Sequence, residues 1–509
     1  MPKKKTSKKG EVSRPAVSAA LGNVSDVRVR MYRQGLGDCF LLSFAHDGDF
    51  ENASHALIDC GTLGATTTGV KMEDVVSNIA ETTKKQLTLL MATHEHQDHL
   101  SGFNTERTVF DAISVGHSWV AWTENPADPL AKELEKYKGD LGIAALAASE
   151  ALSQSKSTVP GVGALAAGMK GVLSFVGNPM LGAAFAKGVD EAMKYVASKA
   201  PPENREYLKP GTYLQPTWLP GVTVYVLGPP HDEKKIKNMG KHGNPELYEL
   251  SGSSVTGFGA SAKWFAYKGS WKRYCTLLSP LDTDQLDRAL PFDQRYRLRS
   301  IATDRRLASY NSVANTWRRV DMDWLLGSAD LALQLDNLTN NTSLALAFEI
   351  GENGPVILMA ADAQLGNWLS WHDYTWELPG TNGRVRKLQA KDLLARTIIY
   401  KVGHHSSHNA TAVEHGLEMM TDSSLIALIP LDKKVAVKKK WPMPAAKLYA
   451  RLLEKTKGRV LRSDIGWPAN SERPDSVSTA EWKKLPSRLQ IAVEDKYVDV
   501  LLTAQQDKG

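Results

Sequence analysis

The chain alternates between short apolar runs of period two and longer stretches of helical period. "DVRVRMYRQGLGDCFLLSF" (26–44) reads as strand, glycine turn, strand. "HALIDCG" (55–61) is another strand, ending on Asp59. In "MEDVVSNIAETTKK" (72–85), Val75, Val76 and Ile79 share one side, which predicts an amphipathic helix. "QLTLLMA" (86–92) is a short buried strand. Residues 125–210 turn to Ala, Gly, Leu and Lys and read as a helical block. "VTVYVLGPPHD" (222–232) returns to strand and turn, and 233–330 is polar, aromatic and irregular. "NTSLALAFEI" (341–350) and "PVILMAADA" (355–363) form a hairpin around "GENG", its second strand ending at Asp362. "RTIIYKVGHHSSHNAT" (396–411) is a strand that runs into paired histidines. Strands feeding helices define an α/β fold class.

Composition changes this picture little. Hydrophobic content of 42% and charged content of 23% fit a globular chain with a sizeable core. The formal charge of +6 sits almost wholly in the first 14 residues, where six basic side chains face only Glu11. The body is close to neutral, so the charge argues little for nucleic-acid binding. Residues 1–25 lack an apolar signal core and are expected to be a disordered basic tail. Cys39, Cys60 and Cys275 make neither a disulfide framework nor a paired zinc motif, which suits a cytoplasmic location. The most apolar stretch, 157–186, is broken by Lys170, Pro160, Pro179 and glycines. Each uncharged half falls short of the ~18 residues of a spanning helix, so a small-residue helical hairpin and no membrane association are expected.

The chemistry concentrates in two places. Of the 13 histidines, His94, His96, His99, His404, His405 and His408 lie in two stretches, both at the C-terminal ends of predicted strands. A third strand ends on Asp362. In "THEHQDH", His94 and His96 are two apart, so both rings can point the same way from an extended segment. Asp98 and His99 follow where the chain turns into a helix and face a second position. One segment can thus serve two ions, and imidazole with carboxylate suits zinc, iron or manganese. Ser406, Ser407 and His408 read as turn residues.

"THEHQDH" resembles the HxHxDH signature of the metallo-β-lactamase fold. Asp59 in "LIDCG" is similar to the family's structural aspartate, Asp362 in "MAADA" to its metal-bridging aspartate, and "KVGHHSSH" to its terminal histidine motif. More narrowly, "RQGLGDCFLL", "NNTSLALAFEI" and "KVGHHSSH" resemble the hydrolase domain of DNA-uptake competence proteins, over about 26–120 and 335–430. Ala361 and Ser406 stand where that pattern has glycine. The resemblance implies an αββα sandwich with two insertions. The expected units are the core at 26–124, a helical insertion at 125–210, a core strand at 211–232, an irregular insertion at 233–334, and the second core part with a C-terminal extension at 335–509.

The resemblance also implies two divalent metal ions, zinc first and manganese as the alternative. His94 and His96 would hold the first ion, and Asp98, His99 and His404 the second, with Asp362 bridging. His231 is the nearest candidate for the histidine that completes the first site in many members, with His117 as the alternative. His405 is then the proton donor or substrate contact, and Asp59 orients a ligand histidine. Asp98 belongs to the catalytic centre. A hydroxide bridging the metals would hydrolyse phosphodiesters, as a nuclease or nucleotide phosphodiesterase. Basic-aromatic islands at Arg295–Arg299 and Trp317–Arg319, and Lys433, Lys434 and Lys438–Lys440, would meet a nucleic-acid substrate. The alternatives are a hydrolase of small esters, lactones or thioesters, and a partner-gated effector. The insertions could carry a protein partner or a homo-oligomer contact, and the helical block is expected to cap the metal site.

Overall fold

The computed structural model describes residues 22–64, 66–154, 169, 172–173, 183–238, 244–248, 309, 329–380, 384–439 and 441–503. In chain order the strands are β1 (Val24–Tyr32), β2 (Cys39–His46), β3 (Asp49–Cys60), β4 (Gln86–Met91), β5 (Ser114–Ala121), β6 (Arg205–Leu208), β7 (Tyr213–Leu214), β8 (Val222–Gly228), β9 (Ala345–Ile350) and β10 (Val356–Met359). They continue with β11 (Thr375–Pro379), β12 (Val385–Gln389), β13 (Thr397–Lys401), β14 (Ile426–Ile429), β15 (Val460–Arg462), β16 (Leu489–Val493) and β17 (Tyr497–Thr503). Among the described residues they build an eight-stranded sheet, β16-β17-β1-β2-β3-β4-β5-β6, and a seven-stranded sheet, β15-β14-β13-β10-β9-β8-β7, with β11 and β12 as a separate pair. The protein is therefore of the α/β class.

The two sheets follow one plan. β1, β2 and β3 pair antiparallel, and β4, β5 and β6 extend the sheet in parallel from β3. In the second sheet β8, β9 and β10 pair antiparallel, and β13, β14 and β15 extend it in parallel. Parallel strands need crossovers. Helices α1 (Met72–Thr82) and α2 (Gln97–Thr105) serve the first sheet, with α3 (Pro129–Gln154) and α4 (Ala183–Lys199) after β5. Further along lie α5 (Ala329–Asn341), α6 (Leu365–Ser370), α7 (Ala390–Ala395) and α8 (Ala446–Lys455).

Side-chain alternation along the strands sorts the core into three parts. Val29, Phe40, Leu42 and Met91 of the first sheet meet Val224, Phe348, Ile357 and Ile399 of the second. The Phe44 and Phe348 rings lie 5.9 Å apart across that junction. The opposite faces are covered by helices. Leu41, Leu57 and Leu90 pack with Val76, Ile79, Phe103 and Met193, while Leu358, Tyr400 and Ala427 pack with Trp368, Leu394 and Leu452. Central strands buried on both faces explain why the sequence shows continuous apolar runs there rather than alternation.

Several boundaries differ from expectation. β1 begins at Val24, inside the stretch read as tail, because Val24 is buried and pairs with His46. The end of the block read as helical, Arg205–Leu208, is a strand that pairs with β5. The C-terminal hairpin β16–β17 returns to the first sheet and pairs with β1. Residues 1–21, nearly all of 157–186, the islands at 295–319, and Lys440 lie outside the described residues. Among the described residues no helix is long and apolar enough to cross a membrane.

Leu502 is fully buried between the sheets. Leu502→Ala is expected to lower the unfolding free energy by about 2–5 kcal/mol, read by chemical denaturation. A loss below about 0.5 kcal/mol would contradict the placement of β17.

Candidate metal centre

The site lies where β3, β4, β10 and β13 end, the position at which parallel strands present groups to a crevice. After β4 the chain bends at His94 and Glu95, the His96 N–H donating to the His94 carbonyl at 3.0 Å, His96 takes the N-cap position of α2, and Asp98 and His99 stand in the first turn of that helix. The motif's spacing therefore follows from one strand-to-helix junction. Two glycines admit its backbone. A Cβ on Gly61 would come within 2.4 Å of the Asp98 and His99 main chain, and one on Gly37 within 2.7 Å of the Asp98 carbonyl. The Asp38 N–H donates to that carbonyl at 2.9 Å, so the glycine turn after β1 clasps the motif.

Three of the histidines have their outward nitrogen fixed. His99 Nδ1 donates to Asp59 Oδ2 at 2.7 Å, His405 Nδ1 to the Pro430 carbonyl at 2.6 Å, and His94 Nδ1 faces Thr93 Oγ1 at 3.0 Å. Thr93 gives both its N–H (2.8 Å) and its hydroxyl (2.7 Å) to Asp59. A carbonyl only accepts, so His405 Nδ1 carries the hydrogen and Nε2 presents a lone pair to Asp98 Oδ2, 2.8 Å away. Two lone pairs at that distance repel unless a proton or a cation lies between them. Asp98 Oδ1 is buried with no hydrogen-bond partner. This donor set fits a metal ion, with each outer nitrogen held so that the inner one can coordinate.

Asp362 is fixed from one side only. Its Oδ1 accepts from Lys401 Nζ (2.9 Å) and from the His404 N–H (2.7 Å), and its Oδ2 faces His99 Nε2 at 3.2 Å. Lys401 is buried and also meets Asp38 Oδ2 at 2.5 Å and the Ala361 carbonyl at 2.7 Å. Two groups with ligand atoms within 4.8 Å of one another, His94/His99/Asp362 and Asp98/Asp362/His405, share Asp362. A third group, Asp38/Asp59/His99, is committed to Lys401 and Thr93. The buried His/Asp clusters can thus hold a metal ion.

The backbone is strained around these ligands. Asp59, Ala361, His404, His405 and Ser406 all have positive φ, between 43° and 64°. Such conformations favour glycine and persist at functional sites. The two positions where the competence-protein pattern has glycine, Ala361 and Ser406, are both among them. The left-handed turn also exchanges the two rings. His405 is carried in to Asp98, and His404, expected as the ligand, is left facing Gln364 Nε2 at 3.4 Å and Asp336 at 4.0 Å.

Electrostatics follow from burial. Asp38 and Asp362 meet Lys401, Asp38, Asp59, Asp98 and Asp362 surround His99, and Asp336 lies against His96. With every carboxylate ionised and every imidazole neutral the cluster would carry an excess of negative charge, and protonation relieves it. Burial, reinforced by Asp98 and Asp362, pushes Asp336 up to about 8. Burial also raises Asp38 in spite of Lys401. Against burial, the surrounding carboxylates raise His99 well above its ordinary value and raise His405. Against burial too, Lys401 and His99 hold Asp362 well below the usual range. Burial lowers His94 well below its ordinary value, and takes His96 to about 3 and His404 to about 4.

His94, His96, Asp98, His99, Asp362, His404, His405 and Asp59 are therefore brought together. His231 is not: its Nε2 pairs with Asp128 at 3.0 Å and its ring lies 4.2 Å from Trp122. His117 is a strand residue stacked on Trp218. Sequence reasoning missed Asp38, Lys401 and Asp336. Asp38 closes the glycine turn and Lys401 directly precedes "VGHH", so both had a positional signal. Asp336 had none. The helical insertion reaches the motif through α3, whose Lys138 Nζ meets Glu95 Oε2 at 2.5 Å. No family model, curated protein or solved structure matches the chain.

Lys401→Met leaves Asp38 and Asp362 buried without their cation, and should destabilise the metal-free protein by about 3–5 kcal/mol in denaturant unfolding. Ala361→Gly and Ser406→Gly relieve positive φ, and each should leave stability unchanged or raise it by about 1 kcal/mol. A lower melting temperature for both variants would refute the strain.

Proposed function

We propose that the protein is a hydrolase of the metallo-β-lactamase type that works with two divalent cations, zinc favoured. The observation that carries this reading is the pair of ligand groups meeting on one carboxylate, Asp362. The helix-covered pair of sheets, with ligands at parallel-strand ends, supports the αββα assignment. His94, His96, His99 and Asp362 would hold one side, and Asp98, His405 and Asp362 the other. Lys401 and the His404 N–H hold Asp362 through Oδ1, which would orient the carboxylate toward both ligand groups.

When bound, the two cations would supply Lewis acidity and activate water at neutral pH. The chain's own groups do the rest. Asp59, Thr93 and Pro430 keep the ligand rings in one orientation. Lys401 neutralises and aims Asp362. His404, whose side chain is 9% exposed where those of His94, His99 and His405 are at most 1% exposed, is the ring nearest solvent. It would contact substrate as a neutral ring, since burial lowers its pKa to about 4.

Phosphodiesters are the favoured substrates, because the motifs resemble those of the competence-protein hydrolase domain. A small ester, lactone or thioester is the second reading. It is favoured by the commitment of Lys401 and Lys138, which both reach the motif, to carboxylates rather than to a phosphate.

Asp98→Ala combined with His99→Ala should reduce hydrolysis of bis(p-nitrophenyl) phosphate and single-stranded DNA to background, as should chelation, with circular dichroism unchanged. Wild-type rates in the double variant would overturn the proposal, and turnover of p-nitrophenyl acetate alone would move it to the second reading. His99 and His405 have raised pKa values without metal, so cation binding must displace protons. Apparent zinc affinity should therefore rise as pH increases beyond the ordinary imidazole range, with proton release measurable by calorimetry in buffers of different ionisation enthalpy. A pH-independent affinity would contradict the protonation pattern.

A further inference from the structure

His94, His99 and His405 each have the nitrogen that faces away from the cluster against an acceptor of the core, at 2.6–3.0 Å. His96 is arranged differently. Its Nδ1 faces His94 Nε2 at 3.0 Å, so both atoms border the same space and Nε2 is the outward nitrogen. Asp336 Oδ1 lies 3.8 Å from this nitrogen. The other oxygen of Asp336 accepts from Asn340 Nδ2 at 3.2 Å and lies 4.0 Å from His404 Nε2.

Asp336 belongs to no strand end. It sits on α5, and α5 packs along α3. Gln334 Nε2 donates to Tyr137 Oη at 3.1 Å, and Leu335 lies over Gly142. α3 in turn holds Glu95, the residue before His96, through Lys138. Two adjacent residues of the motif are thus gripped by two helices that pack on each other.

We infer that Asp336 is the positioning carboxylate of His96, and that α3 and α5 form a cover whose seating sets the metal affinity of the His94/His96 side. The inference rests on the metal reading above. A separation of 3.8 Å exceeds a hydrogen bond, and charge-assisted bonds of this kind close to about 2.7–2.9 Å. A movement of roughly 1 Å by α5 makes that contact. A cation on His96 Nδ1 withdraws charge from the ring, strengthens Nε2–H as a donor and draws Asp336 inward. By reciprocity, a cover that cannot seat weakens the cation.

The test measures zinc binding by chelator competition and amide exchange of 129–142 and 329–341, in wild type, Asp336→Asn and Asp336→Glu. Wild type should take up two equivalents, and zinc should slow exchange in 329–341. Asp336→Asn, of the same shape, should weaken one equivalent by roughly 10–100-fold and lose the slowing, and Asp336→Glu should restore most of both. Equal binding by Asp336→Asn, to within about threefold, would overturn the inference. So would zinc that leaves exchange of 329–341 unchanged in wild type, which needs no variant to fold. Wild type that binds no zinc would remove the metal reading itself, an outcome distinct from either.

Discussion

Everything in this structure is arranged around a buried excess of negative charge. Five aspartates converge between the strand ends of two sheets, and the buried ammonium of Lys401 meets two of them, Asp38 and Asp362. Isolated ionised carboxylates are too costly to bury, so they take up protons or bind cations. The raised Asp336 and Asp38 carboxyls and the raised His99 and His405 imidazoles show the first response. Binding a cation would be the second response. Local strain has the same origin. Left-handed backbone at Asp59, Ala361 and His404–Ser406 is tolerated because the surrounding sheets over-determine those positions.

The scaffold holds this excess by dividing it between two similar sheets. Asp59 and the 94–99 motif leave the first sheet, and Asp362 with His404 and His405 leave the second. The apolar junction between the sheets fixes their relative position, so the distance between the two ligand sets is set by packing rather than by loops. The helical insertion then approaches from outside through Lys138, and α5 through Asp336.

Much of this was legible in the sequence, because period-two apolar runs and dense His/Asp spacing are local signals. The strands at 55–61, 86–92 and 396–401, the helix at 72–85, and the convergence of Asp59, His94–His99 and Asp362 could all be read from it. What stayed hidden was set by tertiary contacts. No local signal tells that β17 pairs with β1, or that 205–208 is a sheet edge. The order of His404 and His405 along the chain favoured the first as ligand, but a left-handed turn reverses their reach. Lys401 read as a strand residue and is instead the counter-charge of the centre. His231 looked available beside two prolines, yet Asp128 takes it.

The pairing of β1 with β17 has a consequence for how the protein is made. Arg30 and Asp499, joined across those strands by an ion pair of 2.8 Å, are 469 positions apart. At roughly 5–20 residues per second, β1 waits on the order of half a minute to a minute and a half for its partner during synthesis. Over that interval the first sheet has an open edge and His94–His99 are already outside the ribosome, while Asp362 and His405 arrive late. Stray cations met early would find only half a ligand set. A full ligand set is thereby deferred until His405 has been made, and until β17 arrives the outer edge of β1 is open to pairing with another chain.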